Sequence, residues 1–205
     1  MALNVQELME GYSTTGFVLV DGNQGLFSEK EFLEIQEICQ KVDKEHVEIG
    51  DADEPNFLEV GRFLTDVEEV QYVNRPLSDN LMSIIASADR MECFKELLQE
   101  PILHVRRVQY NSMEQGCFIG RHLDVDSNPD YIVAIIIQFG EDYGGGEFVI
   151  YRDGQDRAVY KTGKFSTAIS NCHLEHEVKP ISHGTRGSLV YFLSKHDGKN
   201  RRYLK

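Results

Sequence analysis

Two histidines and an aspartate, His122, Asp124 and His176, are the residues of this chain best suited to hold a metal ion. The first two form a His-x-Asp pair within the segment Phe-Ile-Gly-Arg-His-Leu-Asp-Val-Asp-Ser-Asn-Pro-Asp, residues 118–130. On a strand, residues two apart point to one face, so imidazole and carboxylate would stand side by side. A third donor must come from elsewhere, and the far end of the chain offers His173 and His176. These are three apart, so a regular strand turns them to opposite faces and only one can share the site. A turn within 181–184 would let the flanking segments run antiparallel. A register centred near Ile181 then sets Arg186 opposite His176 on one face, with Ser188 in phase. This favours His176 and leaves His173 structural. Two imidazoles and one carboxylate, with other positions open, are the donor set of a non-haem ferrous site.

Arg186 supplies the second part of the chemistry. A guanidinium is a planar fork that matches a carboxylate. Deep in a barrel beside a metal, it would hold the distal carboxylate of a dicarboxylic cosubstrate. Ser188 would add a donor, and Tyr110, on an earlier strand, a phenolic one. Three groups are candidates for substrate recognition. Asp126 shares the phase of Asp124 and would meet an ammonium, or else cap the turn at 127–129. Arg106 and Arg107 alternate across a strand, so one faces the pocket, with Arg107 the candidate. Arg75 is the third. The glycines at 144–146 precede a strand and lack the Lys-Ser/Thr of a phosphate loop, so they are read as a turn.

The elements that must position these residues change character along the chain. Residues 1–15 mix polar and small groups, and 16–21 read as a short strand. Ser28 and Glu31 form a capping box before a helix whose apolar face is Phe32, Ile35, Ile38 and Val42. Residues 46–53 read as a loop, 57–72 carry no clear period, and helices are expected from 78 and over 88–99. From 102 onward short strands alternate with turns: 102–110, 131–139, 147–151, 168–170, 174–178 and 188–193, with a hairpin over 151–164 turning at Asp153-Gly154. The run 131–139 is apolar throughout, as in a strand buried on both faces. The expectation is one domain over 1–205: a mostly helical layer over 1–101 packed on a β-rich catalytic half over 102–205, a sandwich or jelly roll.

Composition narrows the partners. With 205 residues and 41% hydrophobic content the chain can bury a single large core. A net charge of −13 repels phosphate backbones, so nucleic acid is not expected. No apolar run reaches the roughly 18 residues of a membrane span, and the first residues lack a signal-peptide pattern. Cysteines 39, 93, 117 and 172 are scattered without a CxxC pair, so they are read as reduced thiols of a cytoplasmic protein.

Taken together, His122-Leu-Asp124, Gly145-Gly-Glu147-Phe before a strand, and His176-Glu-Val-Lys-Pro180 with Gly184, Arg186 and Ser188 resemble the Fe(II)/2-oxoglutarate-dependent oxygenases, in their prolyl-4-hydroxylase-like branch. The resemblance spans roughly 102–194. It implies a double-stranded β-helix, Fe(II) on His122, Asp124 and His176, and 2-oxoglutarate on Arg186, Ser188 and Tyr110. It also implies oxidation of a C–H bond by O2 with release of succinate and carbon dioxide. Related halogenases carry a small residue where Asp124 stands, so the carboxylate points to hydroxylation. The segment from Tyr110 to Tyr131 is also similar to small oxygenases of free amino acids. A small amino-acid-like substrate is therefore expected. The alternatives are a hydroxylase of prolyl or other residues in proteins, and a non-enzymatic metal-binding barrel.

Overall fold

Asn4 and Gly16 bracket the first helix, α1 (Val5–Thr15): the Asn4 side chain accepts from the Glu7 N–H, and Gly16 ends the helix at φ 71°. Strand β1 (Phe17–Val20) follows. Helix α2 (Glu29–Lys41) starts at the expected box, with Ser28 Oγ accepting from Glu31 N–H and Glu31 accepting from Ser28 N–H at 2.7 Å. Next come β2 (Lys44–Ile49), β3 (Pro55–Asp66), β4 (Val70–Tyr72), α3 (Leu77–Ile85) and α4 (Ala88–Leu98). The remainder is β5 (His104–Met113), β6 (Phe118–His122), a 3-10 turn at Asp124–Asp126, β7 (Tyr131–Phe139), β8 (Gly144–Gly145), β9 (Phe148–Arg152), β10 (Gln155–Tyr160), β11 (Thr167–Asn171), β12 (Glu175–Val178), β13 (Ile181–His183) and β14 (Arg186–Ser194). This computed structural model describes residues 3–140, 142–152 and 155–203. The turn expected at Asp153-Gly154 lies outside the described residues.

The strands curl into a double-stranded β-helix. One sheet runs β1-β11-β7-β14-β5-β3, the other β6-β12-β9-β10, and β3 passes from the first to the second. Strand β7 sits in the middle of the first sheet, and its unbroken apolarity has the expected cause. Val133, Ile135 and Ile137 pack toward the helices, whereas Ala134 and Ile136 face the space between the sheets. Phe32, Ile35 and Ile38 of α2, Leu81 and Ile85 of α3 and Phe94 of α4 cover the helix side. Each such side chain contributes about 1.5–3 kcal/mol on full burial.

The front of the chain differs from the expected helical layer. It supplies one helix that the sequence reading left unassigned, α1, whose short stripe of Val5, Leu8 and Tyr12 packs on the core only half-buried. It also supplies strands. Residues 44–49, taken for a loop in part, pair with β3 as an edge strand with mostly exposed side chains. The periodless segment contains β3, whose alternation is broken by a register shift between Arg62 and Leu64, so that Phe63 and Leu64 are both buried.

A second difference concerns register. Strand β14 does not pair with β12. Arg186 lies opposite Met113 of β5, and His176 lies opposite His122 of β6 and Ile150 of β9. The turn near 181–184 is instead occupied by β13, which pairs with β8. His176 and Arg186 thus reach a common cavity from opposite sheets rather than along one hairpin.

Candidate active site

Antiparallel pairing of β6 with β12 sets His122 directly opposite His176, with ring centroids 4.4 Å apart. Asp124 has left the strand and lies on the 3-10 turn, but Leu123 is still extended (φ −113°, ψ 132°), which returns the carboxylate to the imidazole side. Asp124 Oδ1 is 3.5 Å from His122 Nε2 and 3.9 Å from His176 Nε2. All three donor atoms lie within 4.8 Å of one another. His173, the competing histidine, is exposed.

The backbone fixes which nitrogen each ring presents. His122 Nδ1 donates to the Gly120 carbonyl at 2.8 Å and His176 Nδ1 to the Leu174 carbonyl at 2.9 Å. Both Nε2 lone pairs are thereby aimed at Asp124, the arrangement a metal-binding imidazole requires. Phe148 stacks on His176 at 4.9 Å. The charges are tightly balanced. Burial opposes protonation of His122, but Asp124 outweighs it, and with Glu54 and the Gly120 carbonyl pushes the pKa up to about 9. Burial works against ionised Asp124, yet His176, His122 and Arg107 hold its carboxyl below the usual range. Burial wins at His176 and lowers its pKa despite Asp124. Asp124 Oδ2 is buried and accepts no hydrogen bond. Once a metal ion displaces the proton that Asp124 holds on His122, two Nε2 donors and a carboxylate with a spare oxygen fit a ferrous ion.

Arg186 lines the same cavity and is 1% exposed. Its Nη1 reaches Ser188 Oγ at 3.2 Å and Met113 Sδ at 3.6 Å, and its Nε has no hydrogen-bond partner. Burial holds its pKa below the ordinary guanidinium value, with Tyr143 opposing. Among the described residues it has no carboxylate partner. A desolvated cation is costly without an anion, so the side chain fits a carboxylate-bearing cosubstrate. Ser188 lines the cavity two residues on, in phase as expected.

Tyr110 is not part of this wall. Strand β5 turns Arg107, Gln109 and Asn111 into the cavity, and the intervening Tyr110 faces the helix layer beside Phe139. The phenol on the Arg186 side is Tyr143. Of the substrate candidates, Arg107 lines the cavity and ion-pairs with Asp51, whereas Arg106 points away to Asp66 at 2.7 Å. Asp126 is exposed, because the 3-10 turn breaks the two-residue phase that was to align it with Asp124. Arg75 is on the surface beside Asp79 at 3.5 Å, with 59% of its side chain exposed. Missed were Glu54, Asn56, Gln109 and Asn111, all cavity-lining. The last two share the phase of Arg107 and were legible from it; the first two lie on elements the sequence did not reveal.

The family model described as the 2OG-Fe(II) oxygenase superfamily matches residues 108–194. No curated protein matches the sequence. Among solved structures, an oxidoreductase of the 2OG-Fe(II) oxygenase family from Burkholderia pseudomallei is 32% identical, with 97% of this chain and 94% of that one covered and a TM-score of 0.90. A Pseudomonas putida prolyl-4-hydroxylase shares the fold at 13% identity and TM-score 0.66, over 94% of this chain and 99% of that one. A Trichoplax adhaerens prolyl hydroxylase, solved with a hypoxia inducible factor peptide fragment, does so at 12% identity and TM-score 0.66, over 93% and 82%. With a relative this similar over nearly its full length, and with a buried His-Asp-His cluster sharing a cavity with an arginine that has no carboxylate partner among the described residues, the chain belongs to the 2OG-Fe(II) oxygenase family, enzymes whose cofactors are Fe(II), 2-oxoglutarate and O2.

Proposed function

We propose that this oxygenase hydroxylates a C–H bond of a small, amino-acid-like molecule, with His122, Asp124 and His176 holding iron. The observation that carries the reading is the cavity itself. It spans about 850 Å³ of empty space that opens partly to solvent, is walled by β2, β3, β5, β12 and β14 among others, and carries charges of both signs, Arg62 and Arg107 against Asp51 and Glu54. A zwitterion offers both charges in a small volume; a peptide backbone offers neither. Arg107 remains the candidate for a substrate carboxylate, and Asp126 and Arg75 drop out.

When bound, iron and 2-oxoglutarate supply the oxidising power, with succinate and carbon dioxide as by-products. The chain's part is placement. The Gly120 and Leu174 carbonyls lock both imidazoles with Nε2 inward. Arg186 and Ser188 take the distal carboxylate of 2-oxoglutarate from the opposite sheet. Ala134, Ile136, Phe148 and Val178 form the apolar floor that keeps water from the reacting face. Asp124 occupies the position that halogenases leave to a small residue, so hydroxylation is the expected outcome. The family consists of oxygenases, which removes the non-enzymatic barrel from consideration. All four cysteines are free thiols, which supports a reducing, cytoplasmic setting. Among the described residues no helix is long and apolar enough to cross a membrane.

The test is to supply Fe(II), 2-oxoglutarate and O2 with free amino acids in one arm and proline-containing peptides in the other. Succinate formation coupled to a gain of one oxygen atom in a free amino acid supports the reading. Coupling only to peptides replaces it with the protein-hydroxylase alternative.

A further inference from the structure

The cavity holds a carboxylate that the metal and the cosubstrate do not use. Glu54, just before β3, is 8% exposed and lines the cavity with His122 and Asp124. It accepts from the Ala52 N–H at 3.0 Å and from Asn56 Nδ2 at 2.9 Å. The other end of Asn56 fixes that amide, since its Oδ1 accepts from the Gly120 N–H at 3.1 Å. Gly120 in turn accepts from His122 Nδ1. One chain of hydrogen bonds therefore runs from Glu54 through Asn56 and Gly120 to a candidate iron ligand. Two residues without side chains make room for it. A Cβ on Gly50 would lie 1.7 Å from Glu54 Oε1, and one on Gly120 would lie 2.3 Å from the Pro55 carbonyl.

Both hydrogen bonds to Glu54 come from neutral N–H donors. Two arginines of the cavity wall are engaged with other carboxylates: Arg107 with Asp51, and Arg62 with Glu45 at 2.6 Å. Glu54 is thus a rigidly held, buried carboxylate with no cation hydrogen-bonded or ion-paired to it among the described residues, and the one cationic group it acts on through space is His122, which a bound metal would deprotonate. Two neutral donors orient a carboxylate but do not cancel its charge.

We infer that Glu54 is the cation anchor of the substrate, receiving the ammonium group of a free amino acid or a close amine-bearing analogue. The inference rests on the amino-acid reading above and deepens it. It makes a sharp demand on the substrate nitrogen. An N-acylated or peptide-linked nitrogen is a neutral amide and would leave the Glu54 charge buried without compensation, so it is rejected. A Glu54 that served only to hold Asn56 would make no such distinction.

The experiment uses the iron-loaded protein with the twenty free L-amino acids, each beside its N-acetyl derivative, and reads oxygenated product by mass and succinate in parallel. The wild type is expected to prefer the free amine over its N-acetyl partner by about 10- to 150-fold in kcat/KM, the range of a charge-assisted hydrogen bond. In Glu54→Gln, which keeps an acceptor for Asn56, that preference is expected to collapse to within about 3-fold. The loss should appear in the amino-acid KM rather than in that of 2-oxoglutarate. Glu54→Asp should restore part of the preference. Equal turnover of the N-acetyl compounds by the wild type overturns the inference without any variant, so a variant that fails to fold does not rescue it. Retention of the full preference in Glu54→Gln overturns it too. Oxidation of an amino acid in either case leaves the proposed function standing. Absence of any oxidised amino acid, with succinate formed only on peptides, sinks both.

Discussion

Replacing Arg186 with methionine should move two measurements in opposite directions. In the protein without 2-oxoglutarate, Arg186 is a cation 1% exposed, with the Ser188 hydroxyl, the Met113 thioether and the Tyr143 phenol beside it and an unpartnered Nε. Burial depresses its basicity despite the opposing pull of Tyr143, which signals a desolvation cost only partly offset. Arg186→Met fills a similar volume without the charge. Replacing buried ions by apolar groups is commonly neutral or stabilising by about 1–4 kcal/mol, and each kcal/mol shifts the melting midpoint of a chain of this size by about 2–4 °C. The ligand-free variant is therefore expected to melt at or above the wild type. Binding of 2-oxoglutarate should suffer. Removing one partner of a buried charge pair costs about 2–5 kcal/mol, or about 30- to 5,000-fold in Kd. Anaerobic calorimetry with Mn(II) in place of iron gives the affinity, and thermal melts with and without 2-oxoglutarate give the stabilities. An unchanged Kd refutes the role of Arg186. A weaker Kd together with a sharply less stable ligand-free variant refutes the electrostatic reasoning, because Arg186 would then be a structural residue.

His122→Ala or Asp124→Ala should each lose stoichiometric iron, measured by metal analysis, and succinate formation, while circular dichroism stays native; iron retained at full stoichiometry removes that residue from the ligand set. Tyr110→Phe should leave the KM for 2-oxoglutarate within about 2-fold, since the phenol faces the helices; a rise of tenfold or more would put Tyr110 back in the cosubstrate site. Asp66→Ala should cost about 3–5 kcal/mol in urea denaturation, because it strands the fully buried Arg106 and removes the acceptor of Asn128 Nδ2 and Tyr131 OH. Asp126→Asn and Arg75→Ala, both outside the cavity, should keep wild-type kcat and KM for the amino acid; a changed KM would mean the cavity extends to them.

What could be read from the sequence followed the regularity of the strands. Tyr131–Phe139 and Arg186–Ser194 alternate or stay apolar without interruption, so Arg186 and Ser188 fall in phase in the structure as in the sequence. The same rule was not applied to Tyr110: from Arg107 to Met113 the alternation of β5 is unbroken, and Arg107 facing the cavity obliges Tyr110 to face away. Asp126 failed for the converse reason, because the chain after His122 is a 3-10 turn and two-residue phase no longer applies. The Arg186–His176 register failed because pairing partners in a curled sheet are distant in sequence. Strand β14 finds β5 and β7, and nothing local to residues 176–186 encodes that choice. Strand β3 was hidden by its own bulge, by charges at Glu59 and Arg62, and by an apolar set split between two cores. With β3 unseen, Glu54 and Asn56 could not be placed beside the metal site at all.

The position of β3 has a thermodynamic consequence. His122 and His176 belong to one sheet and Arg186 to the other, and among the described residues β3 alone pairs with both. It pairs over 59–64 with β5, but with β6 only at Asn56 and Phe57. A ligand gripped by the metal centre at one end and by Arg186 at the other therefore ties the two sheets together across a narrow seam. Binding to the folded state alone stabilises it by about 2.7 kcal/mol at a hundredfold excess over Kd, whichever residues make the contacts. If the seam is the weak point, that gain should be concentrated in the second sheet. Amide exchange of β6 and β12 should slow by up to about 100-fold with Mn(II) and 2-oxoglutarate together, and by much less with Mn(II) alone, which touches one sheet only. Equal protection by the metal alone would show that the sheets are already locked by the core between them, and that the cosubstrate bridges nothing.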